Sequence, residues 1–194
     1  MNTDELNRMR ERYLQSVLPS VPMITVGMGT CGIGNGAQLI YDFLRSEIES
    51  RSLQIRLKPV GCFGFCAEEP IVVAYLPGEA LRMYRKMNLR EVKKLLELLL
   101  EKRFYTRNIL CCIPEWDHHT SFIRYGGVPG KIPVWDQLSF FKGQKKFVLR
   151  NAGFIDPESV EDYIAVGGYL ALSHVLTGMR PAEVIDEVTA AKMR

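Results

Sequence analysis

ITVGMGTCGIGNGA (residues 24–37) and KPVGCFGFCAEEP (residues 58–70) bound the stretch that decides the fold. Each joins an apolar, strand-like run to a glycine-rich turn. The first turn carries Cys31, the second Cys62 and Cys66, three of the five cysteines in the chain. Short apolar runs closed by glycine read as buried strands. Thiolates on tight turns at strand ends are a setting in which proteins hold iron–sulfur clusters and other soft metal centres.

Outward from these turns the hydrophobic period alternates between strand and helix. Residues 23–28 predict a strand and residues 29–36 a glycine-rich turn. Over residues 37–50 the period becomes helical, with Leu39 and Phe43 aligned, and Ile40, Leu44 and Ile48 aligned beside them. Leu53, Ile55 and Leu57 alternate, which predicts a second strand over 53–58. Residues 71–76 predict a third, closed by the turn dipeptide Pro77-Gly78, and residues 81–87 a short edge strand. Residues 89–102 predict a helix with Leu89, Val92, Leu95, Leu96 and Leu99 on its apolar side. Strand–helix–strand implies a right-handed parallel pair, and the hairpin-like 71–87 segment adds antiparallel strands. The expected class is α/β: a thioredoxin-like mixed sheet over residues 21–104, with both helices covering it.

The flanks read differently. Residues 3–17 predict an amphipathic helix, with Leu6, Met9, Tyr13 and Val17 on one face, Leu14 beside them and arginines opposite. It suits a docking arm as well as a core element. Prolines and glycine pairs crowd residues 105–145, which predict an extended, irregular connector. Residues 145–150 then predict a short strand. A small helical segment follows: a helix from Asp156 as N-cap with Pro157 at its first turn, one over 169–177, and one from Pro181, with Val184, Ile185 and Val188 on its apolar side, to the end.

Composition excludes some functions. The 194 residues are 47% hydrophobic and 24% charged, as in ordinary globular proteins. A net charge of +3 gives no footprint for nucleic acid. No apolar run approaches the ~20 residues of a membrane span, and the charged N-terminus lacks the core of a secretory signal. The expected location is cytoplasmic, where cysteines serve as thiols or metal ligands rather than disulfides.

Three constellations compete for the chemistry. The pair Cys62-Phe-Gly-Phe-Cys66 places two sulfurs within reach of one iron, and its glycine lets backbone N–H groups approach them. The competing account is two buried free cysteines acting as small hydrophobes. Parallel strands bring Cys31 to the same sheet edge, which favours the metal. Gly27, Gly29 and Gly32 also satisfy a dinucleotide-binding spacing between strand and helix. Yet the second strand offers Arg56 and Lys58 where an acidic ribose partner belongs, so only a 2′-phosphate would suit. Cys111-Cys112 and His118-His119 are adjacent pairs, which in extended chain point to opposite sides. They read as packing cysteines and surface histidines rather than as a zinc site. Asp117 has no accompanying nucleophile motif, and Glu68-Glu69 reads as a polar rim.

With these residues placed, residues 23–102 resemble the thioredoxin-like [2Fe-2S] ferredoxin domains of NADH dehydrogenases and hydrogenases. The run FFKGQKKFVLRNAGFIDPESVEDYIAVGGYLALSHVLTGMRPAEVIDEV, within residues 138–194, resembles the start of the flavin- and NADH-binding subunit of complex I and related diaphorases. The resemblance implies a division into 1–20, 21–104, 105–145 and 146–194, the last opening a flavoprotein domain. It implies [2Fe-2S] ligands at Cys31, Cys62 and Cys66, and it sets Gly27 where a further cysteine is expected. FMN, NAD(H) and a [4Fe-4S] cluster belong to sequence beyond Arg194, so the chain alone is not expected to oxidise NADH. The implied role is electron transfer within a multi-subunit oxidoreductase. The alternative is a cofactor-free docking module that has lost its cluster.

Overall fold

The computed structural model describes residues 3–117, 122–127 and 130–192. Helix α1 (Thr3–Val17) leads into β1 (Met23–Gly27), a short α2 (Thr30–Gly34), α3 (Ala37–Ser50) and β2 (Arg56–Val60). Then follow β3 (Val72–Tyr75), β4 (Leu81–Tyr84), α4 (Leu89–Leu100) and β5 (Ile109–Ile113). These five strands form one sheet in the order β2-β1-β3-β4-β5. β1 and β2 are parallel and the other pairings antiparallel. This is the mixed sheet with covering helices that the alternation of periods predicts.

The sheet is buried on both sides, which is why its central strands read as unbroken apolar runs. Ile24, Val26, Val72 and Ala74 face α3 and α4, packing on Ile40, Leu44, Val92, Leu95 and Leu99. Met23, Val73, Tyr75, Met83, Cys111 and Ile113 face the opposite way, against Trp116, Phe154, Ala165 and Val166. The second layer is built from the flanks: α1, a hairpin of β6 (Glu115–Asp117) and β7 (Phe122–Arg124), and α5 (Val160–Ala165). Helices α6 (Leu170–Gly178) and α7 (Pro181–Ala190) complete the chain. α1 therefore belongs to the core, with Leu6 and Val17 buried, although Leu14 is exposed.

Several expectations are corrected. The second strand is Arg56–Val60 rather than 53–58, since β2 is an edge strand and tolerates Pro59, which has no N–H to give. β4 is not an edge: β5, from the stretch expected to be irregular, pairs with it. The far side of β5 is covered in turn, with Cys112 N–H donating to Pro133 O at 2.9 Å. That leaves no free edge there for residues 145–150, which form a turn instead of a strand. Phe147, Val148 and Leu149 are left 60%, 86% and 67% exposed. The glycine-rich turn at 29–36 contains the helical turn α2. Asp156 does not cap α5; its carboxylate accepts from Glu158 N at 2.9 Å, and Ser159 caps the helix by accepting from Asp162 N at 3.1 Å. α4 starts where the Asn88 side chain accepts from Glu91 N, which leaves Leu89 off the apolar face and 40% exposed. Ile185 and Val188 of α7 are exposed rather than packed.

A buried ion pair ties the layers together behind the cysteine turns. Lys58 of β2 donates to Asp162 of α5 at 2.6 Å and to Ser16 O of α1 at 2.5 Å. Burial pulls the lysine amine below its ordinary range, and Asp162 opposes that shift.

Candidate metal centre

Parallel pairing of β1 and β2 delivers both cysteine turns to one end of the sheet. Met28 N–H extends the ladder to Val60 O at 2.9 Å, holding the turns together as they leave it. Gly29 sits against the second turn, where a Cβ would stand 2.8 Å from that of Cys62. Gly32 closes the first turn, with no room for a Cβ, which would lie 2.2 Å from Gly27 O. Glycine is required here by close approach rather than by unusual φ.

The second turn is shaped around its sulfurs. Gly64, at φ +88°, directs its N–H to Cys62 Sγ at 3.1 Å. Such donors stabilise the charged sulfur and raise a cluster's reduction potential. Cys66 opens a single 3₁₀ turn, Cys66–Glu68. Cys31 and Cys66 are exposed and Cys62 half-buried. The Cys66 thiol is raised above its ordinary pKa, chiefly by the neighbouring Cys31 thiol. Cys62 is raised mainly by burial, against the pull of the Gly64 N–H. All three cysteines stand at this end of the sheet. Among the described residues, no three Cys, His, Asp or Glu side chains are gathered to hold one ion.

Two residues at this end escaped sequence reasoning. Lys146 donates to Phe63 O at 2.6 Å across 83 residues, close enough to Cys62 for the two to interact electrostatically. Burial lowers its pKa. With Phe63, Phe147 and Leu149 it lines a cavity of about 430 Å³ that opens on Cys62. The other is Glu69, which is no polar rim: it is 5% exposed. Its Oε2 accepts from Ile71 N at 2.6 Å, while its buried Oε1 has no hydrogen-bond partner among the described residues. Glu68 does stay at the surface side, pairing with Arg85 at 3.3 Å.

The remaining candidates separate cleanly. Cys111 and Cys112 are fully buried in β5 and point to opposite faces, as expected of packing cysteines. Burial pushes Cys111 up to about 12, so it stays a thiol at neutral pH. His118-His119 lies outside the described residues. At Gly27–Gly32 the following helix α2 spans only five residues, and the Glu69 carboxyl stands beside the loop. An acidic group there is the wrong partner for a pyrophosphate.

No protein-family model matches the chain. Over 53 residues, 27% of this chain, it is 55% identical to the NADP-reducing hydrogenase subunit HndC of Solidesulfovibrio fructosivorans. That match spans 11% of the subunit's own length. Over 75 residues, 38% of this chain and 70% of the relative, it is 31% identical to a 2Fe-2S ferredoxin of Clostridium pasteurianum. A thioredoxin-like [2Fe-2S] ferredoxin structure from Aquifex aeolicus superposes with a TM-score of 0.42 at 16% identity, over 48% of this chain and 93% of that one. The wild-type form of that ferredoxin gives 0.40 at 16% identity, over 47% and 97%.

Proposed function

The chain belongs to the family of the Clostridium pasteurianum 2Fe-2S ferredoxin, and from that premise we propose that Cys31, Cys62 and Cys66 ligate a [2Fe-2S] cluster that relays single electrons. The observation that carries this reading is the pair of cysteine turns at one sheet end, with Gly64 N–H donating to Cys62 Sγ at 3.1 Å. When bound, the cluster supplies one-electron redox chemistry. The chain's residues do the rest. The thiols give up their protons to bind iron. Lys146 offers positive charge near Cys62. Phe63 and Phe154, ring centroids 5.3 Å apart, wall the turn on its buried side.

The likeness to HndC supports a setting in a multi-subunit NAD(P)H-linked oxidoreductase. There the chain exchanges electrons between flavin and the iron–sulfur groups of partner subunits. Residues 146–194 open the flavoprotein domain in this reading, and FMN, NAD(H) and a [4Fe-4S] cluster belong to its continuation. The assembly is cytoplasmic and binds no nucleic acid. Among the described residues, no helix is long and apolar enough to cross a membrane.

The test is chemical. Protein purified without oxygen should contain iron and acid-labile sulfide in equal amounts, and after reduction should give the paramagnetic signal of a [2Fe-2S]⁺ centre. Absence of both iron and sulfide would sink the cluster. One observation favours the second reading, a cofactor-free docking module: the thiols number three, with Gly27 in the remaining position. In that case Cys62→Ser leaves electron transfer through the assembled complex intact.

A further inference from the structure

Three thiols leave one coordination position of a binuclear cluster without a cysteine, and the structure holds one buried group suited to it. Glu69 follows Cys66 by three residues and turns back under the first cysteine turn. A Cβ placed on Gly27 would lie 3.4 Å from its Oε1 and 3.5 Å from its Oε2. One placed on Gly32 would lie 3.3 Å from Oε2. The carboxyl therefore lies in van der Waals contact with the place a Cβ at Gly27 would take, beside the residue that follows Cys31.

Its bonding is half complete. Oε2 is engaged by Ile71 N–H at 2.6 Å, while Oε1 is buried and has no partner among the described residues. An orphaned buried carboxylate oxygen is costly, about 1–3 kcal/mol for a polar atom and more for a charged one. Proteins retain such groups where a ligand completes them. Carboxylate is a competent oxygen donor to iron, as in the sites built of histidines and one carboxylate.

We propose that Glu69 Oε1 is the remaining ligand, so that the cluster is held by three thiolates and one carboxylate. The inference rests on the cluster reading above. Ligation forms one iron–oxygen bond, and any proton on the carboxyl leaves to water. Oε2 keeps its bond to Ile71 N, which fixes the carboxylate as a one-oxygen donor. The glycine at position 27 is then no deficit, since the carboxylate beside it supplies the donor that a cysteine there would have given.

The experiment compares the full chain with Glu69→Gln and Glu69→Cys, all purified without oxygen. Glutamine keeps an oxygen for Ile71 N–H but is a poor iron ligand, and retained iron should fall at least about 10-fold. Cysteine should restore iron and move the g-values of the reduced centre toward those of all-thiolate clusters. Wild-type protein loaded with ⁵⁷Fe should show two unlike ferric sites by Mössbauer spectroscopy, a readout that needs no variant to fold. Equivalent iron sites in the wild type, or full iron with unchanged g-values in Glu69→Gln, overturns the proposal while leaving the cluster in place. Wild-type protein without iron or sulfide overturns the cluster and this ligand together.

Discussion

Asp162 and Glu69 are both buried carboxylates, 2% and 5% exposed, and the chain treats them in opposite ways. Asp162 is charge-paired: its Oδ2 takes the Lys58 ammonium at 2.6 Å and Asp156 N–H at 2.8 Å. Among the described residues, Glu69 has one backbone donor, on Oε2, and no opposite charge. A buried charge paired with an opposite one holds elements together. An unpaired one stores unfavourable energy that a ligand can release. The contrast separates architecture from function within a few residues, because Lys58 and Cys62 lie at the two ends of the same strand exit.

Removing each side chain should break this contrast unequally. Asp162→Ala strands a buried lysine and should destabilise the fold by about 3–5 kcal/mol in urea denaturation. Replacing the pair together, Lys58→Met with Asp162→Leu, should recover most of that loss. Cys62→Ser should leave the melting temperature of the iron-free chain nearly unchanged, yet reduce iron retention at least about 10-fold.

A third buried carboxylate gives an intermediate case. Glu91 receives the Tyr105 hydroxyl, which together with Arg90 holds its pKa below the ordinary carboxylate range. A depressed folded pKa means stability that is present above the unfolded value of about 4.3 and lost as pH falls through the folded one. Tyr105→Phe should therefore remove about 1.5 kcal/mol near neutrality. It should remove progressively less below about pH 4, as a pH series of denaturation curves would show. Smallest of all, Glu69→Gln in the iron-free chain should change stability by less than about 1 kcal/mol, since it strands no partner. A loss as large as that of Asp162→Ala would place Glu69 with the architecture.

Much of this was legible from local pattern. The parallel pair and its shared cysteine edge follow from two apolar runs and a helical period between them. Cys62 and Cys66 stand out by spacing alone. β2 was misregistered because alternation through Leu57 masks an edge strand that accepts Pro59. β5 was hidden because its partners, β4 on one side and Pro133 on the other, are distant in sequence and lie among turn residues. Lys146 was invisible for the same reason, at 83 residues from Phe63. Glu69 fails differently. Nothing in a Glu-Glu-Pro run says which carboxylate is buried; the backbone decides, by turning Glu68 to Arg85 and Glu69 under Gly27.

The Lys58–Asp162 clamp also sets an order of events in time. Its partners are 104 residues apart, which at ribosomal rates of 5–20 residues per second is a delay of roughly 5–20 s. Both cysteine turns and Glu69 have emerged well before the helix that braces β2 from behind. A newly made chain thus presents its thiols before the clamp behind β2 can close.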